Sequence, residues 1–175
     1  MRLLFVITAF LISVSCNNSS NADAAESNTT VAATSQTESK TDLSSFQLKN
    51  EKGEIINSST LAGKKVFINM WASWCPPCRR EMPSIQSLYG KVDKEKVAFV
   101  MLSLDEASED ATDFLKSNSL NLPLYFPAGP LPSLLEVQSI PATFIFDENG
   151  KLERRIDGMH NYDSDEFVKL LSGAQ

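Results

Sequence analysis

The stretch of residues 66–83 reads VFINMWASWCPPCRREMP. Residues 66–71 are almost entirely apolar, a pattern that predicts a central strand covered on both faces. Cys75-Pro76-Pro77-Cys78 follows, and apolar residues then recur at helical spacing to about residue 89. Because a helix tolerates proline in its first turn, we expect the helix to begin at the two prolines. The stretch therefore predicts a strand that leads into a helix, with a C-x-x-C pair at the junction.

The segments on either side alternate between strand and helix patterns. Periodicity and turn residues predict, in chain order, a hairpin at 46–56, a buried strand at 97–104, a helix at 105–119, a short strand at 122–126, a helical turn at 131–137, a hairpin at 142–156 and a closing helix at 163–171. This order favours a three-layer α/β/α domain with a mixed central sheet and an N-terminal β-hairpin extension. We place this domain at residues 42–175.

The N-terminal residues have the layout of a secretory signal. Arg2 is followed by an apolar run at 3–12 and by small residues before Cys16, and the run is too short for a stable transmembrane helix. A cysteine in this place resembles the lipobox of bacterial lipoproteins, in which the signal is cut before the cysteine and the cysteine carries lipid. We predict a signal peptide at 1–15 and membrane attachment by lipid at Cys16. A free Cys16, or one removed with the signal, is the alternative.

The segment that follows is polar to about residue 40, with Val31 its only larger aliphatic residue. Such a composition cannot bury enough apolar surface to offset the entropy of ordering the chain. We therefore predict a flexible tether at 16–41 that links the lipid to the folded domain.

Composition and cysteine count narrow the chemistry of the chain. The net charge is −6 and no cluster of Lys or Arg is present, which argues against nucleic acid as a partner. With lipid at Cys16, the other two of the three cysteines form a single C-x-x-C pair, too few for a disulfide scaffold. A zinc site needs four ligands and this chain adds only His160, while copper binding lacks a neighbouring Met or His cluster. We predict redox chemistry at the pair, with no metal and no cofactor.

The expected position of Cys75 at the start of a helix indicates a nucleophile. Unpaired backbone N–H groups and the positive end of the helix dipole favour the thiolate, which is the attacking species. Cys78 lies one turn further on and is expected to face inward. It is placed to attack the mixed disulfide that Cys75 forms and so to release the product.

The segment 67–83 resembles the active-site segment of the TlpA/ResA-like proteins, and Ser139-Ile140-Pro141-Ala142-Thr143-Phe144 is similar to their second signature. The similarity spans about residues 44–172 and implies a thioredoxin fold. It further implies that Pro141 is cis and faces Cys75, and that the backbone of Ile140 pairs with an extended substrate strand. The substrate surface that it implies includes three residues of the active-site segment: Trp74, Pro76 and Pro77.

Glu81 matches an acidic residue that this family carries near the buried sulfur. If Glu81 is buried, its pKa rises and it can exchange protons with Cys78; a surface glutamate is the alternative. Asn69 stands where thioredoxins in general have a buried aspartate, and its amide cannot titrate. We expect Trp71 in the core and His160 at the surface.

The resemblance implies an extracytoplasmic, membrane-tethered thiol–disulfide oxidoreductase on the periplasmic side of a bacterial membrane. Its expected partners are disulfide-bearing proteins, including cytochrome c precursors, and a transmembrane thiol-relay electron donor. A disulfide-forming oxidase or isomerase is the alternative enzyme. A peroxiredoxin is a further alternative. The sequence argues against it, because a peroxiredoxin needs a hydroxyl three residues before its reactive cysteine and this chain has Ala72 there. A non-catalytic peptide-binding module is the remaining alternative.

Overall fold

The computed structural model describes residue 43 and residues 45–173; the predicted signal, Cys16 and the predicted tether lie outside these residues. The described chain forms seven strands and three α-helices. The strands are β1 (Gln47–Asn50), β2 (Ile55–Asn57), β3 (Lys65–Trp71), β4 (Val97–Ser103), β5 (Leu124–Pro127), β6 (Ala142–Phe146) and β7 (Leu152–Asp157). The helices are α1 (Pro76–Lys91), α2 (Ser108–Ser117) and α3 (Asp165–Ser172), and two short 3-10 helices cover Ser58–Leu61 and Ser133–Leu135.

The strands form one mixed sheet in the order β2-β1-β5-β4-β3-β6-β7. β3 lies between β4, to which it is parallel, and β6, to which it is antiparallel. The N-terminal hairpin of β1 and β2 extends the sheet through antiparallel pairing of β1 with β5. The predicted mixed sheet and hairpin extension are therefore confirmed.

Both faces of the sheet are covered. The buried apolar side chains of all three α-helices belong to one cluster, which also contains Phe67 and Trp71 of β3. The cluster on the other face is closed by Leu61 and Leu135 of the two 3-10 helices. Every residue of β3 is buried, as the sequence predicted for a central strand.

Two predicted helices are shorter than the sequence indicated. The prediction of a helix from residue 105 was wrong at its start, because the Asp105 backbone N–H donates to the Ser103 hydroxyl and α2 begins only at Ser108. The closing helix begins at Asp165 instead of 163, because the Asp163 N–H donates to the Asn161 side chain. In both places a local polar side chain competes with the helical hydrogen bond.

Phe67 provides a test of the core beneath α1. Its ring is fully buried, stacks on Phe99 at 4.7 Å and meets the edge of Tyr162 at 5.3 Å. We expect Phe67→Ala to lower the free energy of unfolding by about 3–5 kcal/mol, because truncation leaves a cavity, as measured by urea denaturation. The control is Ile55→Ala on β2, where the side chain is 57% exposed and the change should stay within about 0.5 kcal/mol. Equal effects of the two substitutions would contradict this placement of the core.

Candidate active site

Cys75 caps helix α1 and is joined to Cys78 by a disulfide across the first turn. The backbone N–H of Cys78 points at the sulfur of Cys75 at 3.3 Å. Because Pro76 and Pro77 have no N–H, this is the first N–H that the helix can offer. The structure confirms the predicted N-cap position, and a backbone dipole is already aimed at the sulfur.

The two sulfur atoms differ in access, although both residues have little exposed surface. Cys75 is 3% exposed and borders an open groove, whereas Cys78 is completely buried. This asymmetry agrees with the prediction that Cys75 meets the substrate and that Cys78 acts from inside.

The groove beside Cys75 has a volume of about 470 Å³. The Ile140–Pro141 peptide bond is cis, as the resemblance implied, and the carbonyl oxygen of Ile140 lies 3.7 Å from the Cys75 sulfur. Trp74 directly precedes Cys75 in the sequence and is 65% exposed. The predicted substrate-binding residues that line the groove are Trp74, Pro76, Pro77 and Ile140; further lining residues are Leu104, Val137, Gln138 and Ser139.

Glu81 is buried, with only 2% of its surface exposed. Its carboxylate accepts hydrogen bonds from the side-chain amide of Asn69 at 2.8 Å and from the backbone N–H of His160 at 3.0 Å. Burial raises the pKa of Glu81 to about 7, against the opposing effect of these two hydrogen bonds. The burial and the raised pKa that the sequence suggested are therefore present.

A buried polar chain continues beyond Glu81. The Asn69 amide also donates to the Thr143 hydroxyl at 2.9 Å, and the Tyr162 hydroxyl donates to the same oxygen at 2.6 Å. Burial and the nearby charge of Glu81 raise the pKa of Tyr162. These bonds tie β3, β6 and the segment before α3 together behind the active-site helix.

Sequence reasoning missed two of these partners. The His160 side chain is exposed as predicted, but its backbone N–H, on a loop far along the chain, is a partner of Glu81. Tyr162 follows two residues later and is fully buried. The only signal in the sequence is an aromatic residue inside an otherwise polar stretch, which does not identify its partner.

A second polar cluster holds the loop before Cys75. Both carboxylate oxygens of Asp105 accept from the backbone N–H of Ser73, at 3.0 and 3.1 Å, and the hydroxyls of Ser73 and Ser103 donate to the same carboxylate at 2.7 Å. Sequence reasoning missed this cluster too. Its signal was polar residues at the carboxyl ends of two adjacent parallel strands.

Two further residues near the site, Trp71 and Arg79, pack against one aromatic ring. Trp71 is fully buried, as predicted, and packs against Phe114, over which the Arg79 guanidinium also lies. In residues 43 and 45–173, no group of three or more His, Cys, Asp or Glu side chains could hold a metal ion. No helix in the described part of the chain is both long and apolar enough to cross a membrane.

The sequence of the chain is similar to those of known proteins. Residues 40–155 match the AhpC/TSA family. The chain is 32% identical over 114 residues to the thiol-disulfide oxidoreductase ResA of Bacillus cereus. This match covers 65% of this chain and 66% of that protein, so the chain spans just under two thirds of the relative's length. It is 30% identical over 128 residues to ResA of Halalkalibacterium halodurans, covering 72% of this chain and 73% of that protein.

A solved structure also matches the fold. The crystal structure of a thiol:disulfide interchange protein of the thioredoxin family from Chlorobium tepidum shares 26% identity, with a TM-score of 0.64, over 76% of this chain and 97% of that one. Together with the ResA relatives, this match confirms the predicted thioredoxin fold and the resemblance on which it was based.

The raised pKa of Glu81 predicts a dependence of stability on pH. The folded state keeps the Glu81 proton up to about pH 7, whereas the unfolded chain releases it near 4.5. The unfolded state therefore binds fewer protons in this window, and the free energy of unfolding falls as the pH rises, by about 3 kcal/mol in total.

Glu81→Gln removes this contribution because an amide does not titrate. We expect urea denaturation of the disulfide-bonded protein between pH 4 and 8 to show the fall in wild type and a flatter curve in Glu81→Gln. Parallel curves for the two proteins would show that Glu81 does not titrate with a raised pKa.

Proposed function

We propose that this chain, which belongs to the AhpC/TSA family and is a thiol–disulfide oxidoreductase, reduces disulfides of other proteins outside the cytoplasm while anchored to a membrane by lipid at Cys16. The observation that carries the proposal is the arrangement of Cys75. Its sulfur caps a helix, receives the Cys78 N–H, and lies beside an open groove while its disulfide partner is buried.

The reaction transfers two electrons to the substrate. In the dithiol form, the Cys75 thiolate attacks one sulfur of the substrate disulfide, a Cys75–substrate bond forms, and the second substrate sulfur leaves as a thiolate. Cys78 then loses its proton and attacks the Cys75 sulfur. The Cys75–Cys78 disulfide of the structure forms and the first substrate sulfur is released. Proton uptake by the two leaving thiolates completes the substrate dithiol.

Glu81 is proposed to take the proton of Cys78 in the second step. Both residues are buried on α1, and their spacing of three places them on neighbouring positions of one helix face. A pKa of about 7 means that Glu81 can be a base or an acid near neutral pH. Asn69 lies on β3 where thioredoxins in general have an aspartate, and its amide cannot titrate. The carboxylate that takes part in this buried network is that of Glu81.

The proposed location follows from the signal-like residues 1–15, Cys16 and the polar segment 16–41. Because secreted compartments are oxidising, a reductase there needs electrons from a membrane partner, and we propose a transmembrane thiol relay. Disulfides of cytochrome c precursors are the proposed substrates, on the basis of the TlpA/ResA resemblance.

Substrate trapping tests the mechanism. We expect Cys78→Ser to accumulate a mixed disulfide at Cys75, because the second attack is removed, and mass spectrometry of the trapped species would identify the substrate. Cys75→Ser is the matched control and should trap nothing. Wild type should reduce insulin disulfides in the presence of dithiothreitol, while Cys75→Ser should give only the uncatalysed rate. Trapping by Cys75→Ser alone would reverse the assigned roles.

The direction of electron flow is tested by the Cys75/Cys78 reduction potential. Equilibration with glutathione should show a reducing couple; a strongly oxidising potential would favour the oxidase or isomerase instead. Rapid peroxide consumption would favour the peroxiredoxin alternative. The sequence argues against that alternative, because Ala72 lies three residues before Cys75, where a peroxiredoxin needs a hydroxyl.

Lipid attachment is tested at Cys16. We expect the full chain expressed in a bacterial host to fractionate with membranes and to incorporate labelled fatty acid, and Cys16→Ser to lose both properties because it lacks the acceptor thiol. Cys75→Ser should keep both. Unchanged labelling of Cys16→Ser would contradict the lipid anchor.

A further inference from the structure

Asp105 joins the two walls of the groove beside Cys75. Trp74 and Leu104 both line the groove, and we call the parts of the lining that they form the Trp74 wall and the Leu104 wall. Each wall is adjacent in sequence to a member of one hydrogen-bonded pair: Ser73 precedes Trp74 and Asp105 follows Leu104. The Asp105 carboxylate accepts both the N–H and the hydroxyl of Ser73, so the walls are connected by charge-assisted hydrogen bonds.

The sheet explains why these residues meet. β3 and β4 are parallel, with Trp71 paired to Ser103, so the segments that follow both strands leave the sheet at the same edge. The Leu104 N–H extends this pairing by donating to the Trp71 carbonyl at 2.8 Å. The Ser103 hydroxyl, itself fully buried, donates to Asp105 at 2.7 Å and orients the carboxylate.

Burial does not hold the Trp74 wall in place. The Trp74 side chain is 65% exposed, so little apolar packing restrains it. The loop is held by the bonds of Ser73 to Asp105 and by the Cys75 N–H, which donates to the Ala72 carbonyl at 3.1 Å. Loss of the Asp105 carboxylate would release this wall while the disulfide and the cap of α1 remain.

The chemistry of the groove indicates what it accepts. Its lining is formed by aliphatic, aromatic and proline side chains together with Gln138 and Ser139, and none of these is charged. A charged side chain would find no counter-charge in this lining, whereas an apolar side chain would bury surface against it. A volume of about 470 Å³ lies in the range of about 300–1,000 Å³ typical of specific ligand sites.

We propose that Asp105 is a positioning residue that fixes the Trp74 wall, and that the groove so held selects protein disulfides that carry a bulky apolar residue next to the cysteine. This inference rests on the proposed reductase function and names its substrate class. Asp105 does not touch the reacting sulfurs; it acts through Ser73 on the surface that meets the substrate.

The experiment compares three disulfides with the full chain and dithiothreitol as reductant. Two are peptide disulfides that differ only in having Leu or Ser on both sides of the cysteine, and the third is hydroxyethyl disulfide, which cannot fill the groove. We expect wild type to prefer the Leu peptide by about 10-fold or more in kcat/KM. In Asp105→Asn, kcat/KM for the Leu peptide should fall about 10-fold, mainly through KM, while hydroxyethyl disulfide should change less than about twofold.

Matched variants separate positioning from general damage. Asp113→Asn makes the same charge change at an exposed site on α2 and should leave all three rates unchanged. Trp74→Ala should reproduce the KM effect, and adding Asp105→Asn to it should cause little further loss, because both remove the same wall.

Three outcomes would overturn the inference: no preference of wild type for the Leu peptide, an equal loss on hydroxyethyl disulfide in Asp105→Asn, or full additivity of the two substitutions. Each of these would leave the reductase function intact. Failure of wild type to reduce any of the three disulfides would instead contradict the proposed function.

Discussion

In the first turn of α1, the backbone N–H of Cys78 points at the sulfur of Cys75 across 3.3 Å. The two prolines between them supply no N–H, so the sulfur receives the first hydrogen bond that the helix offers. A helix start that in most proteins is capped by an oxygen is capped here by the reactive atom. The same turn holds the second cysteine within disulfide distance, so the nucleophile, its activation and the resolving thiol of the proposed mechanism all depend on one helix terminus.

This terminus is positioned by β3, which is buried along its whole length. Buried polar groups usually have hydrogen-bond partners. The amide nitrogen of Asn69 donates to Glu81 and Thr143, whereas its amide oxygen is buried without a partner among the described residues. The amide fixes the carboxylate beneath the active-site helix without adding a second titratable group. Burial then raises the pKa of Glu81 into the neutral range, where proton exchange with a thiol is feasible.

Two polar clusters thus support the site from different sides. In the proposed mechanism the Glu81 cluster serves the buried sulfur and its proton, whereas the Asp105 cluster is bonded to the loop that carries the exposed Trp74. The separation has a physical consequence, because a carboxyl group needs burial to bring its pKa near neutral, whereas substrate recognition needs an exposed surface. Substitutions in one cluster can therefore affect rate or stability with pH, while those in the other affect substrate preference.

Local sequence was sufficient to predict the β3–α1 junction and the cap at Cys75, since these depend on neighbours within one turn. The roles of the two cysteines stay predictions that rest on that cap. The resemblance to the TlpA/ResA-like proteins added two expectations that the structure shows: the cis peptide bond at Pro141 and the buried position of Glu81. Tertiary structure alone decided which distant groups complete the site: the His160 N–H and Asp105 are 79 and 32 residues from their partners. Their meeting depends on strand order and on the edge at which parallel strands end, which local periodicity does not encode.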